Sequence, residues 1–170
     1  MTEQAQAQAQ AQVHDNAGVI VFPPVLLLAT AAVGIILDWF LPLGFLAQLP
    51  WVPRLVAGAL LFALGASAPI MVRRAFVAAG TNMRPDMPST ALVTTGLFAH
   101  ARNPVYVGGA LALIGLALMR GSDWILVLMV PALLVLHYGV VLREERYLEK
   151  TFGAAYLAYR AAVPRYGWKF

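Results

Sequence analysis

The chain has 170 residues, of which 61% are hydrophobic and only 12% are charged. Soluble domains are about 45–50% apolar and about 25% charged, so this composition excludes an ordinary soluble globular domain and predicts a membrane protein. The absence of cysteine excludes disulfides, thiolate metal sites and a thiol nucleophile. In a chain of this composition the net charge of +4 indicates cytoplasmic loops beside anionic lipid rather than nucleic-acid binding.

The first 16 residues are predicted to form a disordered tail. Residues 5–12 alternate strictly between Ala and Gln, which gives a helix no apolar face to bury. Residues 17–170 are predicted to form one membrane-embedded domain, because the length of the chain allows a single domain.

Four uncharged stretches are long enough to cross a bilayer, since a spanning helix needs about 17–25 apolar residues. They cover residues 16–37, 55–72, 103–119 and 124–142. The short polar turn at residues 120–123 predicts that the last two stretches form an antiparallel hairpin. The predicted fold is all-α: a polytopic bundle of four transmembrane helices with a cytoplasmic C-terminal helical cap.

Most of the charge is concentrated in two segments outside these stretches. Residues 73–102 carry four arginines and one aspartate, and residues 143–170 carry six basic and three acidic side chains, so each segment has a net charge of +3. With four spans the two segments lie on one side of the membrane, which the positive-inside rule makes cytoplasmic, together with both termini. We therefore predict a multi-pass protein of a bacterial-type inner membrane. Charged residues are absent from the four stretches, which argues against an ion-coupled transporter.

The third stretch begins with a group of residues that could hold an anion. Asn103 and Pro104 are typical of a helix N-cap and first helical position. The free N–H groups of such a helix end, together with Arg102, suit a carboxylate or a phosphate. Tyr106 lies in the first turn, and Gly108 allows a ligand or another helix to come close. A capped helix with an arginine at the membrane surface explains the same residues equally well.

Two further groups lie beyond the fourth stretch. Glu144 and Glu145 could bind a cation or a ribose, although such a cluster is more often a solvated helix end with surface ion pairs. Tyr156, Tyr159 and Arg160 share one face of a short predicted helix, which could lie at the bilayer interface or close over a ligand. The three histidines are scattered and show no metal-ligand spacing, so no metal site is predicted.

Together these groups resemble the integral-membrane methyltransferases of the isoprenylcysteine carboxyl methyltransferase and phospholipid N-methyltransferase families. The resemblance covers about residues 75–166. It rests on Arg102-Asn103-Pro104-Val105-Tyr106-Val107-Gly108, Glu144-Glu145-x-x-Leu148, Phe152-Gly153-x-x-Tyr156-x-x-Tyr159 and Val163-Pro164-Arg165. The family pattern has His where this chain has Asn103, and an asparagine cannot titrate near neutral pH. His100 is close enough in sequence to replace that histidine.

The resemblance implies S-adenosylmethionine as methyl donor at the cytoplasmic mouth, and a membrane lipid or lipidated small molecule as acceptor. The donor-binding residues that it implies are Gly96, Leu97, His100, Arg102, Asn103, Pro104, Tyr106, Gly108, Glu144, Glu145, Tyr156, Tyr159 and Arg160. An amine acceptor must lose a proton before it attacks, and Glu144, Glu145 and His100 are the candidate catalytic bases. No nucleic-acid partner is expected.

The acceptor is expected to be a phospholipid amine such as phosphatidylethanolamine, because so small a bundle leaves little room for a protein substrate. Three alternatives remain open on the sequence. They are a carboxyl methyltransferase of the isoprenylcysteine type, a sterol-reductase-like enzyme that uses NADPH, and a membrane subunit without activity.

Overall fold

The computed structural model describes residues 17–82, 87 and 89–167, and within them the chain is helical and without strands. The predicted tail at residues 1–16 lies outside the described residues. The helices are α1 (Pro23–Phe40), α2 (Trp51–Ala78), α3 (Pro104–Arg120), α4 (Asp123–Leu136), α5 (Leu142–Phe152) and α6 (Ala154–Ala162). Short 3-10 helices occupy Leu46–Gln48 and Gly96–Ala99, and a π-helical turn, His137–Val141, joins α4 to α5.

Three helices of the described chain are long and apolar enough to cross a membrane. They are α1, α2 and the continuous helix Asp123–Phe152, which comprises α4, the π-helical turn and α5. The predicted third span is α3, an apolar helix of 17 residues, which is shorter than these three. The all-α membrane fold is thus confirmed, with three candidate spans and one shorter apolar helix at the four predicted stretches.

Helices α2 and α3 make the most extensive helix contact in the fold, and glycines make it close. A Cβ atom placed on Gly58 would lie 2.7 Å from the carbonyl oxygen of Gly115, and one placed on Gly108 would lie 2.7 Å from that of Gly65. The two backbones therefore touch at two levels of the contact. Close approach of this kind is what small residues in membrane helices provide.

Helix α1 packs mainly on α4 and less extensively on α3. Its Ala31 joins Leu113, Ala117 and Ile125 in a buried apolar cluster. Gly34 of α1 lies directly against Ile125, since an added Cβ would come within 2.7 Å of that side chain. The outer faces of the bundle carry exposed large apolar side chains, as expected of a surface that contacts lipid.

The loop between α1 and α2 is fixed to the start of α4. The carboxylate of Asp123 accepts hydrogen bonds from the backbone N–H groups of Phe45 and Leu46, at 2.8 and 3.0 Å. Arg54 donates to the carbonyl oxygen of Leu46 at 3.0 Å. The Ser122 hydroxyl caps α4 by accepting a hydrogen bond from the Ile125 N–H. We name this end of the bundle the closed end. Here the buried carboxylate of Asp123 is hydrogen-bonded by backbone N–H groups.

The opposite end, named here the mouth, brings together the starts of α1 and α3, the last turns of α2, and α5. A regular helix would have aligned His137 with Glu144 on one face. The π-helical turn at His137–Val141 changes that register, and its last three residues are buried. Such turns are frequent at functional sites. The turn is also tied to the start of the chain, because the Ile20 N–H donates to the Gly139 carbonyl at 3.2 Å.

Candidate functional site

The mouth contains a cavity of about 460 Å³, within the size range of small-molecule sites. One part of its wall is apolar and comes from the start of α1 and the end of α2, including Phe22, Pro23, Val72 and Phe76. The other part is polar and comes from the start of α3, from α5 and from α6. The predicted residues that line it are Arg102, Asn103, Pro104, Tyr106, Glu144, Glu145, Tyr156 and Tyr159.

Glu145 is the centre of the polar wall. Its two carboxylate oxygens accept hydrogen bonds from Arg165, from Nε at 2.9 Å and from Nη2 at 2.7 Å. Arg102 Nη1 lies 3.1 Å from Oε1 of the same carboxylate, and the side chains of Arg102 and Glu145 are each only 9% exposed. The hydrogen bond to Glu145 raises the pKa of Arg165 further, so Arg165 stays charged. One buried carboxylate thus faces two guanidinium groups, which leaves an excess positive charge around Glu145 itself.

Arg102 has unused binding capacity. Its Nε atom is buried and has no hydrogen-bond partner within the described part of the chain. Its Nη1 atom donates to the Tyr156 hydroxyl at 3.4 Å, and Tyr156 is almost completely buried. Burial raises the pKa of Tyr156, so its hydroxyl stays protonated and can donate to a ligand. A buried donor without an acceptor is costly, so the Arg102 side chain is held with less than its full set of hydrogen bonds.

Glu144 occupies a separate position in the same wall. The hydroxyl of Tyr106 donates to both of its carboxylate oxygens, at 2.8 and 3.0 Å. In contrast to Glu145, Glu144 has no ion-paired arginine among the described residues. The adjacent glutamates therefore differ in their partners. Glu145 is paired with two arginines, whereas Glu144 is hydrogen-bonded to the neutral hydroxyl of Tyr106.

The chain after α6 crosses the start of α3. The backbone N–H groups of Arg102 and Asn103 donate to the carbonyl oxygens of Pro164 and Arg165, at 2.9 and 3.1 Å. The side-chain amide of Asn103 also donates to the Arg165 carbonyl, at 3.3 Å. Asn103 does occupy the N-cap position, but its side chain makes no capping hydrogen bond. The predicted N-cap position is therefore confirmed, and the asparagine side chain fixes the C-terminal segment instead of bonding to the helix end.

The remaining predicted residues lie outside the cavity lining. His100 and Gly96 are exposed, and Leu97 packs against the apolar cluster of Val72, Val93 and Phe98. Gly108 contacts α2, where an added Cβ would clash with Gly65 and Ala68. Arg160 pairs with Glu149 at 2.6 Å on the surface. Their roles in binding the donor stay predictions.

Several residues of the site are not among those predicted from the sequence. Arg165 does not line the cavity but binds Glu145, because the last segment folds back over α3. Its place in the Val163-Pro164-Arg165 motif was a signal. Arg73 lines the cavity from α2. Nothing in the sequence separates it from the neighbouring arginines of residues 73–102, which were predicted as one basic segment. Ser89 and Tyr147 also line the cavity, with the Ser89 N–H donating to the Tyr147 hydroxyl at 2.9 Å.

Two of the three comparisons with known proteins are negative. Neither the curated proteins nor the solved structures contain a match to the chain. A protein-family model described as phospholipid methyltransferase matches residues 53–155. The matched range runs from the first turn of α2 to the start of α6 and includes the cavity walls contributed by α2, α3 and α5.

Proposed function

We propose a function that proceeds from one premise: the chain belongs to the phospholipid methyltransferase family. Membership confirms the resemblance drawn from the motifs and makes the chain a membrane protein of a methyltransferase family. We infer that it transfers a methyl group from S-adenosylmethionine to the amine of a phospholipid such as phosphatidylethanolamine. The observation that carries this proposal is that one cavity has both a charged wall and an apolar wall. The methyl donor is charged and the phospholipid acceptor has long apolar chains, so each substrate matches one wall.

The proposed topology has four spans, with α3 as the shortest, and places the mouth and both termini in the cytoplasm. The starts of α1 and α3 and the last turns of α2 meet at the cavity, which is the arrangement that antiparallel spans produce. The arginines of residues 73–102 and 143–170 favour the cytoplasmic side. In this topology α6 and the segment after it form the helical cap over the mouth.

The polar wall fits the methyl donor. S-adenosylmethionine supplies an electrophilic methyl group on a sulfonium, and it carries a carboxylate, an amine and a ribose. The unpartnered Nε of Arg102 and the excess positive charge around Glu145 suit the carboxylate. Tyr156 and Tyr159 offer aromatic rings beside it, and aromatic faces attract cationic groups. Methyl transfer then depends on alignment and exclusion of water, for which such enclosure is suited.

Glu144 is the proposed proton acceptor for the amine. A phospholipid amine is protonated near neutral pH and has a free lone pair only after it loses that proton. Glu144 lines the cavity and is held in place by Tyr106, without a competing arginine. Glu145 is less suited because Arg102 and Arg165 already occupy its two carboxylate oxygens. The proposal gives His100 no proton-transfer role, since His100 is exposed and outside the lining.

The test is methyl transfer by the purified full-length chain in lipid vesicles. Vesicles containing phosphatidylethanolamine are incubated with S-adenosylmethionine that carries an isotopically labelled methyl group, and the lipids are analysed by mass spectrometry. We expect label on the phospholipid headgroup and binding of S-adenosylhomocysteine by calorimetry. Label on an added isoprenylated cysteine alone would identify the carboxyl methyltransferase instead, and stabilisation by NADPH without label would identify a reductase.

A further inference from the structure

Arg73 is the second cationic side chain that lines the cavity, and it differs from the first. Arg102 is engaged by Glu145, Tyr156 and the C-terminal segment. Arg73 lines the same cavity from α2, but its side chain has no hydrogen bond or ion pair with any other described residue. An arginine that lines a cavity and is not engaged by the described residues can bind an anion through its guanidinium fork.

The residues around Arg73 are apolar and suit a phospholipid better than the methyl donor. Its neighbour Val72 is 2% exposed, and Phe76, one helical turn further along α2, also lines the cavity. Phe22, which precedes α1, and Pro23, its first residue, also belong to this apolar wall. Arg73 precedes the last residue of α2 by five positions, or about 7.5 Å of helix, which is a depth typical of the membrane interface. There a phosphate would lie beside Arg73 with the acyl chains towards the apolar wall.

We propose that Arg73 binds the phosphate of the acceptor phospholipid and so selects a zwitterionic headgroup lipid over other amphipathic amines. This inference rests on the proposed function and assigns a specificity-determining residue within it. With the phosphate on α2 and the donor on the α3 and α5 wall, the amine extends from the phosphate across the cavity towards Glu144. Arg73 thus acts on acceptor binding and not on the donor or on proton transfer.

The neighbouring Arg74 provides a matched control. It has the same charge and follows directly on the same helix, but it does not line the cavity. Both side chains are exposed, so replacing either of them by alanine removes no packed contact and the variants are expected to fold. Arg73→Lys keeps the charge without the planar fork and serves as a second variant.

The experiment compares two acceptors with wild-type protein, Arg73→Ala, Arg73→Lys and Arg74→Ala. The acceptors are phosphatidylethanolamine in phosphatidylcholine vesicles and a long-chain alkylamine, which has the amine and chain but no phosphate. For Arg73→Ala we expect kcat/KM for the phospholipid to fall by about 10- to 100-fold, the effect of losing a charged hydrogen bond, mainly through KM. Arg73→Lys should recover most of that loss, because a lysine still offers the phosphate a charge.

The other measurements identify which anion Arg73 binds. Activity towards the alkylamine and calorimetric affinity for S-adenosylhomocysteine should be unchanged in Arg73→Ala, and Arg74→Ala should match wild type throughout. A loss of S-adenosylhomocysteine affinity in Arg73→Ala would overturn the inference in favour of the donor carboxylate. If Arg73→Ala and Arg74→Ala have the same kcat/KM for the phospholipid while the wild-type protein is active, this inference is overturned and the proposed function stands. Wild-type protein that methylates no phospholipid would overturn the proposed function and, with it, this inference.

Discussion

The two ends of the bundle each bury one carboxylate, and they satisfy it in different ways. Asp123 at the closed end and Glu145 at the mouth are equally buried, each 7% exposed. They are 22 residues apart in one continuous helix, a separation of about 33 Å. Asp123 is bonded to backbone N–H groups of the loop between α1 and α2, whereas Glu145 is bonded to the side chains of Arg102 and Arg165.

This difference separates a structural role from a binding role. Backbone donors are fixed by the fold, so the Asp123 contact can only hold the loop in place. Arginine side chains can change partners, and Arg102 lines the cavity. The mouth can therefore exchange contacts within the protein for contacts with a ligand, whereas the Asp123 contact cannot. Substitutions at the mouth should accordingly change activity and binding, and those at the closed end should change stability.

The largest expected effect is that of Glu144→Gln on the rate of methyl transfer. If Glu144 accepts the amine proton, kcat should fall by about 10²- to 10⁴-fold, the usual contribution of a positioned base. S-adenosylhomocysteine affinity should change little. The measurement is steady-state methylation of phosphatidylethanolamine, with Glu149→Gln as the control, because Glu149 forms its ion pair on the surface. An unchanged kcat in Glu144→Gln would exclude Glu144 as the base.

The next effect is that of Glu145→Gln on donor binding. Without this charge, Arg102 and Arg165 face each other without compensation, and breaking a buried ion pair costs about 3–5 kcal/mol. We expect S-adenosylhomocysteine affinity to fall by at least about 100-fold, measured by calorimetry on protein that stays folded in detergent. Affinity equal to that of wild type would show that the arginines bind the donor without Glu145.

At the closed end, Asp123→Ala should reduce stability and leave binding intact. The substitution removes the acceptors of two backbone N–H groups, those of Phe45 and Leu46. The cost should be about 1–3 kcal/mol, seen as a lower midpoint of thermal unfolding in detergent. Calorimetric affinity for S-adenosylhomocysteine is the paired measurement. A loss of affinity in Asp123→Ala would contradict the separation between the two ends.

The smallest effect is expected for Arg160→Ala. The side chains of Arg160 and Glu149 form an ion pair in which they are 42% and 40% exposed. Exposed ion pairs contribute about 0–1 kcal/mol to stability. Donor affinity and the unfolding midpoint should stay close to those of wild type. A large loss of donor affinity would instead support the role in the donor site that the sequence predicts for Arg160.

Local patterns in the sequence were sufficient to predict much of the fold and the polar wall. Apolar runs without charge mark the helices, and Asn103-Pro104 marks the start of α3. The positions of Arg102, Tyr106, Glu144 and Glu145 in the cavity follow from motifs that lie near helix ends. Each of these predictions depends only on residues close together in the chain.

The features that escaped prediction depend on contacts between distant segments. The π-helical turn has no local composition that distinguishes it from regular helix, so the register of Glu144 and Glu145 could not be derived. Arg165 joins Glu145 only after the last segment folds over α3. Arg73 and Arg74 are equivalent in the sequence, and only the packing of α2 against its neighbours places one of them in the cavity.

The backbone contact between α2 and α3 has a mechanical consequence. At Gly65 the nearest atoms across the contact are backbone atoms of Gly108 and Ala112, with no side chain between them that could compress or rotate, so the pair moves as one stiff body. A bilayer that changes thickness deforms or tilts the helices embedded in it, and this pair can tilt only as a unit. The distance between Arg73 on α2 and Tyr106 on α3 should therefore stay the same when the lipid composition around the protein changes.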